Sequence, residues 1–104
     1  MQRFVFKMKL LPGNEAVYQQ RHDAIWPELA TLLKQSGIKN YSIFLDTDTL
    51  TLFAYLEAAD DTFSDTLPLH PIMKKWWQCM KDIMETNDDG SPVSTPLKEV
   101  FYLP

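Results

Sequence analysis

Two β-rich runs, IKNYSIFLD (residues 38–46) and LTLFAYLEA (50–58), flank the polar turn Thr47-Asp48-Thr49, and both carry apolar side chains on both faces. Two such runs around a short turn spell a β-hairpin. Under strict alternation, Ile38 and Phe44 fall on one face of the first strand, and Tyr41, Ile43 and Leu45 on the other. In the second strand, Leu50, Leu52 and Leu56 oppose Phe53 and Tyr55. Strands apolar on both faces need cover on both. Helices supply one cover. A chain of 104 residues has little left for the other, so a second copy of the chain is the expected cover, giving a homodimer.

The rest of the chain supplies the helices and two more strands. RFVFKMKLL alternates, with Phe4, Phe6, Met8 and Leu10 on one side and Arg3, Val5, Lys7 and Lys9 on the other, which predicts a half-buried strand. Pro12-Gly13-Asn14 ends it, and Asn14 is a candidate helix N-cap. Residues 15–36 have helical spacing at Val17, Ile25, Leu29, Leu32 and Leu33. Pro27 lacks an N–H, so the helix should break near residues 23–26 and restart as PELATLLKQ, with Gly37 as its stop. Residues 60–69 are polar and interrupted by Pro68. HPIMKKWWQCMKDIME reads as helix, with Met73, Trp76, Trp77, Met80, Ile83 and Met84 within one arc. NDDGSPVSTP is a loop, and LKEVFYLP is expected as a closing strand with Leu97 and Phe101 opposite Val100 and Tyr102. The order strand, helix, two strands, helix, strand is the ferredoxin-like split βαβ plan, an α+β subunit with an antiparallel sheet in a single domain spanning residues 1–104.

Charge and cysteine usage narrow the partners. Ten Lys and Arg against fourteen Asp and Glu give a net charge of −4, a field that disfavours nucleic acid and anionic membrane. No stretch approaches the ~20 apolar residues of a membrane span. The N-terminus has no unbroken apolar signal core, and the one cysteine, Cys79, permits no internal disulfide; a cytoplasmic setting is expected. Cys79 borders the apolar arc of its helix, where a small buried cysteine is the common case. The two histidines, His22 and His70, and Cys79 have no recognised zinc or iron spacing, and three glycines form no phosphate loop, so neither metal nor cofactor is expected. His70, before Pro71, reads as a solvated helix start.

Tyr18 and His22 are the pair with chemical promise, because positions i and i+4 share a helix face. Such a pair is commonly a hydrogen-bonded contact at the edge of a core; its other reading is a histidine held for proton transfer. Trp76 and Trp77 likewise read either as two core rings about 100° apart on a helix or as an aromatic platform for the C–H face of a sugar. Tyr41 either packs in the sheet or presents its hydroxyl to a cavity. Together they describe a neutral, aromatic, hydrogen-bonding pocket.

Four motifs extend this reading: Y-x-x-R-H-x-x-I-W-P-E-L at 18–29, N-Y-S-I at 40–43, K-W-W at 75–77, and S-P-V-S-x-x-L-x-E-V-F-Y-L at 91–103. On them the chain resembles the L-rhamnose mutarotases, from near the first strand to the C-terminus. Residues 58–70 carry little of the match. The resemblance implies a dimeric α+β barrel of ferredoxin-like subunits with their sheets facing. It implies interconversion of the α and β anomers of L-rhamnose, with His22 as the proton donor and Tyr18, Tyr41, Trp76 and Trp77 contacting the monosaccharide. Two other readings share the plan: a non-catalytic sugar-binding module, and a cofactor-independent monooxygenase acting on a flat aromatic substrate.

Overall fold

The computed structural model describes residues 1–104. Strand β1, Gln2–Lys9, leads through a turn with Gly13 at φ +82° into helix α1, Glu15–Asp23. Asn14 occupies the N-cap position without capping. Its side-chain amide donates back to the carbonyls of Leu11 and Pro12, 3.1 Å from each, and so pins the turn instead. The expected break falls where Pro27 dictates. A residue before proline is pushed out of the helical region, and Trp26 accordingly sits at φ −59°, ψ 131°. Helix α2, Pro27–Gln35, restarts with the proline in its first turn, where its missing N–H costs no helix bond. Gly37, at φ +87°, lets the chain turn into β2, Lys39–Asp46, which the hairpin joins to β3, Thr51–Ala58.

The polar segment after β3 forms a short helix, α3 (Thr62–Thr66), and a 3-10 turn (Leu67–Leu69), with Phe63 edge-on to Phe4 at 5.2 Å. Helix α4, Pro71–Met80, is capped by His70, whose Nδ1 accepts the Ile72 N–H at 3.2 Å. A 3-10 turn, Lys81–Ile83, and a loop precede β4, Thr95–Leu97. The antiparallel sheet has the order β2-β3-β1-β4, the ferredoxin-like arrangement that the element order predicts. No helix is long and apolar enough to cross a membrane.

One face of the sheet carries the core. Met8, Leu10, Leu52 and Ala54 pack against Tyr18, Leu29, Met73, Trp76, Met80 and Ile83 from the helical layer. The other face presents Phe44 (64% exposed), Phe53 (36%) and Leu97 (40%) with nothing over them in this subunit.

Three expectations need correction. Ile38 does not share a face with Phe44: it is buried with Leu56 and Ala58, whereas Phe44 pairs across the outer face with Phe53. A β-bulge between Lys39 and Ser42 inserts one residue and reverses the alternation there. The closing strand is short. It spans only Thr95–Leu97, and Val100, Phe101, Tyr102 and Leu103 beyond it lie outside any strand and exposed. The chain leaves the sheet at Lys98, and Arg3 then holds it, by a bond to Glu99 and a guanidinium 3.6 Å from the centre of the Tyr102 ring. Cys79 is exposed rather than buried. The inward arc of α4 is centred on Met73, Trp76 and Met80, and at about 100° per residue Cys79 falls outside it.

Leu52 is fully buried on β3, across from Met8 of β1 and Leu45 of β2. Leu52→Ala is expected to cost ~2–5 kcal/mol, the lost transfer energy plus the cavity left in a core with little freedom to collapse. Urea denaturation checks this, and a loss below ~1 kcal/mol would contradict the packing described.

Candidate active site

The corner between α1 and α2 brings three aromatic rings together against Trp76 of α4. Tyr18 and His22, one turn apart on α1, stack with ring centres 4.2 Å apart and an interplanar angle of 28°. Trp76 of α4 meets the His22 ring edge-on at 5.3 Å, and Trp26 meets Trp76 edge-on at 5.2 Å. Tyr41 arrives from β2, close enough for its phenol to perturb that of Tyr18. It also lines a cleft of about 580 Å³ with Ile25, Ala30 and Leu33. A separate groove of about 390 Å³ beside His70 contains none of these rings. His70 belongs to the helix cap there and not to the cluster.

The His22 ring is oriented by its own helix. Nδ1 lies 3.0 Å from the Tyr18 carbonyl oxygen, which can only accept, so Nδ1 carries a proton. The neutral ring therefore exposes an unprotonated Nε2, and Nε2 is the nitrogen available to exchange a proton with a ligand. Burial lowers the His22 pKa from 6.5, opposed by the bond to Tyr18 and by the charge of Asp23. Burial is the larger effect, so the imidazolium is a stronger acid than in water.

The phenols behave oppositely. Burial, with a smaller contribution from Tyr41, holds Tyr18 well above its ordinary value. Burial pushes Tyr41 up to about 12, although 38% of the residue surface is open. Both phenols stay protonated at neutral pH and can donate and accept hydrogen bonds there.

Of the expected site residues, the structure gathers Tyr18, His22 and Trp76 in direct ring contact, while Tyr41 lines the neighbouring cleft and reaches Tyr18 through a charge effect alone. Trp76 is also part of the buried core, so its two readings describe one ring. Trp77 is half-buried and packs against the core from the next position on α4. Trp26 joins the cluster as a contact ring, placed by the break at Pro27. Arg21 was not singled out by sequence, yet it ties the cluster together. Its guanidinium donates to Asp82 through two nitrogens, at 2.9 and 3.2 Å, and to the Cys79 carbonyl at 2.7 Å. It thus fixes α1, and His22 with it, to the end of α4 and satisfies a carbonyl left open there. The same pairing lowers the Asp82 pKa. The adjacency of Arg21 to His22 was the available signal, but its partners lie 58 and 61 residues away. No group of three or more His, Cys, Asp or Glu side chains converges anywhere in the chain.

Comparison with known proteins gives a consistent result. The family model described as L-rhamnose mutarotase matches residues 3–103. An L-rhamnose mutarotase of Rhizobium meliloti is 54% identical over 103 residues, covering 99% of both chains. One from Leptothrix cholodnii is 55% identical over 102 residues, covering 98% of this chain and 96% of the relative. The crystal structure of an L-rhamnose mutarotase from Formosa agariphila superposes with a TM-score of 0.93 at 50% identity, with both chains fully covered. The structure of Rv0793 from Mycobacterium tuberculosis superposes with a TM-score of 0.61 at 12% identity, a likeness of fold alone. With the match running from β1 to the C-terminal segment, the chain belongs to the L-rhamnose mutarotase family.

Proposed function

We propose that the protein is an L-rhamnose mutarotase, an isomerase that interconverts the α and β anomers of L-rhamnose by opening and reclosing the sugar ring. The carrying observation is His22, half-buried between Tyr18 and Trp76, with Nδ1 committed to a carbonyl and Nε2 left for a ligand. Membership in the family favours this activity over a silent sugar-binding module or a monooxygenase on the same fold.

The reaction moves two protons. Protonated His22 donates from Nε2 to the ring oxygen while the anomeric hydroxyl gives up its proton to a second carrier. The C1–O5 bond breaks, leaving an aldehyde and a hydroxyl. Rotation about C1–C2 presents the other carbonyl face. The O5 hydroxyl attacks, returning its proton to Nε2 as the new anomeric oxygen is protonated. His22 is thus acid in one half and base in the other, and its low pKa makes the imidazolium an effective acid. Tyr18 and Tyr41, as neutral phenols, hydrogen-bond sugar hydroxyls and orient the ring. Trp76 and Trp77 take its less polar face. No metal or redox cofactor is required by this chemistry. We further propose a cytoplasmic homodimer, in which the exposed Phe44, Phe53 and Leu97 of one sheet cover those of a second copy.

His22→Gln is expected to lower protein-catalysed anomer exchange by ~10²-fold or more, with rhamnose binding much less affected, and Tyr18→Phe to cost less. Saturation-transfer NMR between the two anomers measures this. In the wild type, catalysed exchange should decline as pH rises through the lowered His22 pKa. Stability runs the other way. Because His22 titrates lower folded than unfolded, unfolded chains take up protons first as pH falls through about 6.5, and stability from this group is lost below that pH. Urea midpoints in His22→Gln should lose this part of the pH slope. Near-wild-type exchange in a folded His22→Gln would defeat the assignment.

Trp76→Ala should cost ~3–5 kcal/mol of stability as well as affinity, because the ring serves core and site together. Trp77→Ala should weaken rhamnose binding with a smaller stability loss. Calorimetric titration beside thermal melts separates the two, and normal affinity in Trp77→Ala would remove it from the site.

Light scattering at micromolar concentration should give about twice the 12.1 kDa chain mass. Phe44→Glu, which charges the outer sheet face without touching the core, should shift the mass toward one chain. A monomeric wild type would refute the dimer.

A further inference from the structure

Strand β2 breaks its own alternation at a place where nothing in its core packing is missing. Ile38 and Ile43 are five residues apart, so an unbroken strand would put them on opposite faces. Both nevertheless pack toward the helices. The register shows how: Lys39 pairs with Glu57 and Ser42 with Tyr55, three steps along β2 against two along β3. The extra residue is absorbed at Asn40, which sits in the left-handed region at φ +52°. Asparagine enters that region more readily than other non-glycine residues, and a β-branched residue there is a clear outlier. Its side chain is also engaged. Asn40 Nδ2 donates to Glu57 Oε2 at 3.2 Å, and the Tyr55 hydroxyl donates to the same oxygen at 3.0 Å. The bulge is pinned from the outer face of the sheet. Immediately after it comes Tyr41, on the helix side and against the cleft.

We infer that Asn40 is a positioning residue for Tyr41: the two share the bulge opposite Leu56, and the left-handed backbone of Asn40, held by Glu57, sets how the phenol enters the helix side of the sheet. A bulge increases the local twist of its strand, so the placement of the side chains within it depends on the bulge being kept. The link to catalysis rests on the proposed contact between Tyr41 and sugar; the link to geometry does not.

The test reads Tyr41 directly. In protein labelled with 13Cζ-tyrosine, the Tyr41 resonance is assigned by its loss in Tyr41→Phe and followed through alkaline pH. In the wild type it is expected to titrate well above an ordinary tyrosine, at about 12, because burial disfavours the phenolate. Asn40→Gly keeps the left-handed backbone available and should leave that titration in place, with exchange within about threefold of wild type. Asn40→Val should return the titration toward the ordinary tyrosine value near ~10. It should also raise the KM for rhamnose roughly tenfold, with kcat changed less. Asn40→Ala, a milder strain on the same φ, should move both in the same direction and serves if the valine variant fails to fold. If the bulge acts only to bury Ile38, both non-glycine variants lower the melting temperature and leave the Tyr41 titration where it was. That result overturns the inference whatever happens to exchange. A shifted titration with unchanged KM would instead uphold the positioning role and remove Tyr41 from the sugar contacts.

Discussion

The edge-on packing of Trp76 against His22 joins the two halves of this molecule. Trp76 belongs to the buried core with Leu52, Met73 and Met80, and it is also a wall of the candidate site. Ring placement in a close-packed interior is shared by every neighbour. The helix–sheet packing that keeps the chain folded is therefore the packing that sets where Nε2 points. Arg21 completes the arrangement from outside the core by tying α1 to the end of α4. Site geometry here is a property of how two helices lie on one sheet, and not of a loop laid over them.

Anomer exchange asks little of a protein compared with most enzymatic reactions, and the site is correspondingly simple. It holds one titrating imidazole, two phenols kept neutral and aromatic walls. Burial does most of the electrostatic adjustment, lowering the histidine and raising both tyrosines. The same desolvation acts in opposite directions because it penalises whichever form is charged.

Much of this could be read along the chain. Pro27 announced the break between α1 and α2, because its chemistry acts on the residues next to it. The i, i+4 spacing of Tyr18 and His22 is a local consequence of helix geometry, and two-sided apolar strands told of a sheet face left open. What escaped the sequence was non-local or geometrically silent. An asparagine at φ +52° is spelled like any other asparagine, so the face assigned to Ile38 came out reversed. Arg21 works through partners some sixty residues away. The C-terminal run EVFYLP has strand-like residues but pairs with no strand of the subunit after Leu97, and composition cannot supply a partner. Cys79 looked buried because its arc was drawn too wide.

The dipeptide at the α1–α2 corner carries one more consequence. Proline restricts the residue before it in any state of the chain, folded or not. The extended backbone of Trp26 is therefore already favoured in the unfolded ensemble, and less conformational entropy is lost when its ring comes to rest on Trp76. A wall stiffened by covalent geometry need not be ordered by the arriving ligand, so less of the binding free energy of a small sugar is consumed in organising its own pocket.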